Sequence, residues 1–296
     1  MEEDYEQNGP VVIGGVNGSG TRVVARIVSE LGFYIGDDLN GSTDNLWYTL
    51  LFKRPRWYYK NRTCERAIYA GLSVMRKVML RHELLSFPEC RFLLRAVVQM
   101  SFQGHTPVGG GRGRWPFIRL WRMIKSARRK RRGYVGWGWK EPQTILLIPY
   151  LAGYFDHLKY IHTMRHGLDM AFSENQQQLF LWGRLFGVDA PKSPSEIPAA
   201  SLRYWLRANG CALEAGKELG NEKFHVVNFD RLCRSPDSEV QSLLSFLRIT
   251  PVPEAWQRAS ALVRQPPTIG RYREHDLSQF DEDDLSALRT FGYDVE

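Results

Sequence analysis

Apolar and polar positions alternate between two periods along the chain. Val11, Val12 and Ile13 form an apolar run closed by Gly14, short enough for a buried strand. After a loop of small residues, Val23, Val24, Ile27, Val28 and Leu31 mark the stripe of an amphipathic helix that Gly32 ends. Tyr34 to Asn45 has loop composition. From Leu46 to about Met100 every pattern is helical: Trp47, Leu50 and Leu51 give one face, Ile68, Leu72, Met75 and Met79 another, Phe92, Leu93, Ala96 and Val97 a third. This predicts an all-helical insertion between the first and second strands of a sheet. Gln103 to Arg114 is a Gly-rich loop, and a helix follows with Phe117, Leu120, Trp121 and Ile124 as its apolar face.

The strand period returns further on. Tyr134 to Trp139 predicts a short strand, Ile145 to Tyr154 a helix, and Lys159 to Met164 a strand that delivers Arg165 and His166 to a loop. Leu168 to Phe180 predicts a helix carrying Ser173. Leu181 to Leu206 is irregular, then helical; His225 to Phe229 is a further strand, and Val240 to Leu247 a clean helix face broken by Pro251 and Pro253. A basic and aromatic loop, Ile269 to Glu274, precedes a terminal acidic helix. Strands alternating with helices predict an α/β fold on a parallel sheet, whose loops gather at one edge.

Composition changes this picture in one place. The 296 residues, 43% hydrophobic and 24% charged, fit one large domain or two small ones. No apolar run approaches the ~18 residues that span a membrane. The acidic start MEEDYEQNGP is unlike a signal peptide, and four scattered cysteines suggest neither a zinc site nor a disulfide framework. A cytoplasmic protein is therefore expected. The net charge of +8 is local: Cys90 to Lys140 holds 13 Lys or Arg and no acid. For the basic part, 112–132, three uses compete: nucleic-acid binding, contact with an anionic membrane surface, and a plain solvated face. A fourth is attraction of an acidic acceptor substrate.

Gly15 to Gly20, between a strand and a helix start, is an anion-binding arrangement, since the first helical N–H groups lack partners. It nearly meets the G-x-x-x-x-G-K-[ST] pattern, but Thr21 stands where the Lys must be, which weakens a kinase or ATPase reading. The spacing of Gly15, Gly18 and Gly20 is wrong for a dinucleotide fingerprint. A tight turn without a ligand is the plainer alternative.

Taken together, the loops resemble the sulfotransferases that use 3′-phosphoadenosine 5′-phosphosulfate (PAPS), with tyrosylprotein-type and related bacterial enzymes nearest. Ser19-Gly20-Thr21-Arg22 is similar to the family's R-S-G-T-[ST] loop, with Gly18 at its Arg position and Arg22 at its Thr or Ser. Met164 to Asp169 with Ser173 resembles V-R-[DH]-x-x-D-x-x-x-S, and Lys140-Glu141-Pro142 with Thr144 resembles K-[DE]-P-x-T. Phe229, Asp230 and Leu232 stand in register with a Y-E-D-L segment, and IGRYREHDLSQF with a late G-R-W-R loop.

The resemblance implies a single P-loop-like, three-layer α/β domain. Its PAPS-binding core is about 10–45 and 133–280, and its helical and basic insertion about 46–132. It implies cofactor binding by Gly18, Ser19, Gly20, Thr21, Arg22, Arg165, Ser173, Phe229 and Arg271. The expected reaction moves a sulfuryl group to a hydroxyl or amine of an acceptor, a glycan, glycolipid or peptide, without a metal. Lys140 is expected to stabilise the leaving group. The general base is sought among Asp37, Asp38 and Asp44, with Asp38 and Asp44 put forward and His82, Glu83 and His105 as further candidates; His166 is expected to support its loop. Two alternatives remain: a nucleoside or nucleotide kinase, and a non-catalytic nucleic-acid-binding protein.

Overall fold

Burial on both faces decides the central strands. In a computed structural model, which describes residues 9–80, 83–106, 109–126 and 133–295, strand β1 (Val11–Gly15) is buried at every position. It pairs in parallel with β3 (Gly136–Lys140) on one side and β4 (Lys159–Met164) on the other. β2 (Phe33–Tyr34) lies outside β3 and β5 (Phe224–Asn228) outside β4, so the all-parallel order is β2-β3-β1-β4-β5.

Alternating side chains feed two cores. Val11, Ile13, Ile161 and Val227 face α1 (Thr21–Glu30), α12 (Pro236–Leu247) and α13 (Pro253–Ala261). Val12, Trp137, Trp139 and Tyr160 face the opposite layer, which includes α7 (Ile148–Tyr154) and α10 (Ile197–Leu219). Gly138, between two tryptophans, lies flat on β1: a Cβ there would come within 1.7 Å of the Val11 carbonyl oxygen.

The insertion comprises α2 (Leu46–Phe52), α3 (Pro55–Asn61), α4 (Glu65–Leu80), α5 (Phe87–Gln103) and α6 (Trp115–Ser126). It follows the second strand rather than the first. β2 is two residues long, too short to show a period, and exists because Phe33 and Tyr34 pair with Gly136 and Trp137. Asn45 starts α2, its Oδ1 accepting the N–H groups of Trp47 at 3.0 Å and Tyr48 at 3.1 Å. Ser86 and Glu89 form a capping box on α5.

Two expected helices are corrected. α6 presents the opposite face to the core: Pro116, Arg119, Met123 and Ser126 are buried, whereas Phe117, Trp121 and Ile124 are exposed. Ion pairing decides its orientation, because Arg119 reaches the buried Asp38. The single helix expected over Leu168–Phe180 is two, α8 (Gly167–Ala171) and α9 (Gln177–Trp182). Gln176 folds back between them, its Nε2 donating to the carbonyls of Met170, Ala171 and Ser173. His82 and residues 127–132, at the end of the basic segment, lie outside the described residues. Among the described residues no helix is long and apolar enough to cross a membrane.

Candidate functional site

The carboxyl ends of the parallel strands bring four loops together. After β1, the chain turns through Gly18 (φ 87°) and Gly20 (φ 95°) into α1. Gly20 is fixed by space as well as by φ, since a Cβ would stand 2.1 Å from the Phe229 ring. Among the described residues the N–H groups of Gly18, Gly20, Thr21 and Arg22 have no partner. The buried Ser19 Oγ has none either. Buried hydroxyls are normally satisfied, so this is a cradle for an anion at a helix N-terminus. Arg22 is exposed and its Nη2 donates to Ser42 Oγ at 2.9 Å, across to the loop after β2.

That loop is braced for its task. Asn40 Oδ1 accepts the N–H groups of Ser42 (2.8 Å) and Asp44 (2.9 Å), and its Nδ2 donates to Asp44 Oδ2 at 2.8 Å. Thr43 is held at φ 65°, which few non-glycine residues adopt. The bracing presents two acceptors to Lys140, the last residue of β3. Lys140 Nζ donates to the Ser42 carbonyl at 3.0 Å and pairs with Asp44 Oδ1. Burial pulls the ammonium below the usual lysine range, and Asp44 opposes that shift. Next along, the buried Glu141 accepts from Lys53 Nζ at 2.8 Å. Burial, the largest single influence, would lower Lys53, but the charge and hydrogen bond of Glu141, with the Asp44 charge, together outweigh it and raise the ammonium.

A second cationic group follows β4. Arg165 is 5% exposed; its Nη2 pairs with Asp169 Oδ2 at 3.1 Å and donates to Thr268 Oγ1 at 3.1 Å. Asp169 also accepts the N–H of Gly270 at 2.9 Å, drawing the late loop onto the site. Arg271 there donates through Nη1 to the Phe172 carbonyl at 3.3 Å, next to the half-buried Ser173. Burial and the neighbouring Arg165 charge lower Arg271 below its usual range. Phe229 is buried beneath, with the Arg165 guanidinium 5.8 Å from its ring.

The candidate bases separate by environment. Asp38 is fully buried and pairs with Arg119 (3.1 Å) and Arg122 (2.7 Å). Asp37 accepts from Ser126 Oγ. Both carboxylates therefore anchor α6. Glu83 is on the surface, paired with Arg76 at 2.6 Å and Lys77 at 3.2 Å. Asp44 is partly exposed beside Lys140. His105 packs at a tilt against Trp115, ring centroids 5.0 Å apart, and its Nδ1 has no partner among the described residues. Burial, then the Lys53 charge, hold it down at about 4, with Asp44 pulling the other way. His166 supports its loop: its N–H donates to Asp230 at 3.0 Å and its ring stacks on Tyr272 at 4.5 Å.

The sequence matches the family model described as "Sulfotransferase family" over residues 10–254. The chain belongs to the sulfotransferase family. No curated protein matches its sequence. Two solved structures share the fold of this sulfotransferase. One is the sulfotransferase domain of the Synechococcus PCC 7002 olefin synthase, at 16% identity and TM-score 0.50, covering 100% of this chain and 99% of that one. The other is the sulfotransferase domain of the curacin biosynthetic pathway, at 13% identity and TM-score 0.52, covering 98% and 100%. The P-loop-like fold is thereby shared along nearly the whole length.

Sequence reasoning gave no role to several residues this sulfotransferase brings to the same edge. Lys53 and Thr268 carry no local signal, because their partners Glu141 and Arg165 are distant in sequence. Asp169 was legible only as a motif position; its double duty to Arg165 and Gly270 is tertiary.

Proposed function

We propose that this sulfotransferase takes its sulfuryl group from PAPS and delivers it to an acceptor hydroxyl. The observation that carries the reading is a pair of anion-binding poles on one sheet edge. The Gly18–Arg22 loop with Lys140 makes one; Arg165 and Arg271 beside Ser173 make the other. β3 and β4 flank β1, so Lys140 and Arg165 leave the sheet from strands about 10 Å apart. A nucleoside triphosphate needs a single pole, whereas a nucleoside carrying phosphates at both 5′ and 3′ positions needs two. The orphaned Ser19 Oγ and the free N–H groups at the start of α1 fit the 5′ group. The two arginines and Ser173 fit the 3′-phosphate. Phe229 fills the space beneath Gly20 and keeps the loop in its left-handed turns.

PAPS supplies an activated sulfuryl group joined to a phosphate leaving group. Lys140 supplies a fixed ammonium where negative charge collects on the departing oxygen, an effect worth about 3 kcal/mol in comparable sites. Because it is buried and already positioned by Ser42 and Asp44, little reorganisation is required. We assign the acceptor's proton to Asp44, a reading supported by its partial exposure beside Lys140, whereas Asp38 is closed off by two arginines.

Calorimetry with adenosine 3′,5′-bisphosphate and with adenosine 5′-monophosphate tests the two-pole reading. The bisphosphate should bind the wild type at micromolar concentration, and Arg165→Ala should weaken it by about tenfold or more. The monophosphate should bind weakly and be indifferent to that substitution. Equal binding of both nucleotides would sink the reading.

A further inference from the structure

Helices α5 and α6 pack on each other, yet each turns an apolar face outward. On α5 the exposed large apolar residues are Phe87 (81%), Leu94, Val98 and Phe102 (77%), spaced to share one stripe. On α6 they are Phe117, Ile118, Trp121 and Ile124. Single exposed apolar side chains are ordinary, but eight on two contacting helices are apolar exposure of the kind that meets another phase or partner.

Charge decides which. Arg91 and Arg95 lie exposed on α5, and Arg112, Arg114 and Lys125 at or beside α6. Lys125 sits 5.0 Å from the Trp121 ring. Residues 90–126 contain no Asp or Glu. A second copy pressed on this face would set these cations against themselves, which opposes association. Phe87 of the same stripe also lines a cavity of about 730 Å³, where Arg91 and Arg95 are joined by Arg54, Arg56, Lys60 and Arg66. Arg54 is buried over Trp57, 4.3 Å from the ring, and its guanidinium is held by the Leu51 carbonyl and Gln99 Oε1.

We propose that the α5–α6 face seats the protein on an anionic lipid bilayer. Phe102, Phe117, Trp121 and their neighbours enter the boundary between headgroups and acyl chains. The arginines interleaved with them on α5, and the cavity they border, meet the lipid phosphates. This needs no assumption about the reaction, and Lys140, Arg165 and the loop after β1 take no part in it.

Co-sedimentation of the full chain with vesicles is the test. Phosphatidylcholine vesicles containing about a third phosphatidylglycerol should bind it at least about tenfold more tightly than phosphatidylcholine alone, and salt should weaken the binding. Phe117→Ser/Trp121→Ser and Leu94→Ser/Phe102→Ser should each reduce binding by about tenfold or more. Arg91→Ala/Arg95→Ala should reduce it by up to about twentyfold and flatten the salt dependence. Unchanged thermal midpoints establish that the variants fold. Equal, weak binding to both vesicles would overturn the proposal, as would apolar-face variants that bind as the wild type does. A concentration-dependent dimer that the same variants abolish, without vesicle binding, would assign the face to a second copy instead.

Discussion

Asp44 holds Lys140 in place: the carboxylate pairs with the ammonium at the edge of the sheet, and the Ser42 carbonyl takes a second donor position at 3.0 Å. Both acceptors come from the loop after β2, so that loop, rather than β3 alone, fixes where the charge points. Lys140→Ala should lower kcat by about 10²–10³ and leave adenosine 3′,5′-bisphosphate affinity within about fivefold. Steady-state kinetics beside calorimetry separates the two effects. A loss confined to KM would argue that Lys140 only binds.

Substitution of the carboxylates should divide catalysis from architecture. Asp44→Asn should reduce kcat by about 10²–10⁴, and it should also lower the thermal midpoint, because the buried Lys140 loses its counter-charge. Asp38→Asn should cost about 3–5 kcal/mol of stability, because it leaves Arg119 buried without its counter-charge. Urea unfolding of both variants, set against their turnover, checks the assignment. His105→Gln belongs in the same series: a loss larger than that of Asp44→Asn would move the base to the imidazole.

Gly20→Ala should abolish nucleotide binding, since its Cβ would stand 2.1 Å from the Phe229 ring at a φ of 95°. Phe229→Leu in the same chain should relieve the overlap but leave the backbone strain, restoring part of the affinity. A double-mutant cycle on nucleotide binding measures that coupling; strict additivity would mean that the ring does not support the loop.

Acid should destabilise the protein through His162. It is fully buried with Nε2 2.8 Å from Asn209 Oδ1, and burial, against the pull of that hydrogen bond, holds its imidazole neutral down to about 4. The unfolded chain takes up this proton near pH 6.5. The contribution is therefore whole above about pH 6.5 and is lost as pH falls through about 4, by up to about 3 kcal/mol. Urea unfolding at about pH 7.5 and 4.5 should show a smaller difference in His162→Gln than in the wild type.

The strands near the site were legible because they are buried on both faces and read as compact apolar or aromatic runs. Lys159–Met164 is found where its pattern placed it, and the Gly-rich turn into α1 lies where its composition placed it. β2 was not legible, since two residues carry no period and its pairing with β3 is made across a hundred residues. α6 misled for a different reason. Its strongest apolar stripe faces outward, and an arginine and a serine face inward to meet Asp38 and Asp37. No pattern local to the helix records where those two carboxylates will be. The site divides similarly: glycines and strand-end cations show in the chain, but which carboxylate meets Lys140 and which is caged by arginines depends on elements folded over it.

The buried pair of Lys53 and Glu141 joins the end of α2 to the residue following Lys140. Donor chemistry and helical insertion are consequently not interchangeable parts. A relative's insertion spliced onto this sheet would have to bring its own cation to Glu141, or leave that carboxylate unpaired one peptide bond from the lysine. Changes of acceptor preference by exchange of the insertion would then be confined to segments that keep this tether, with variation free at the far ends of α4 and α5.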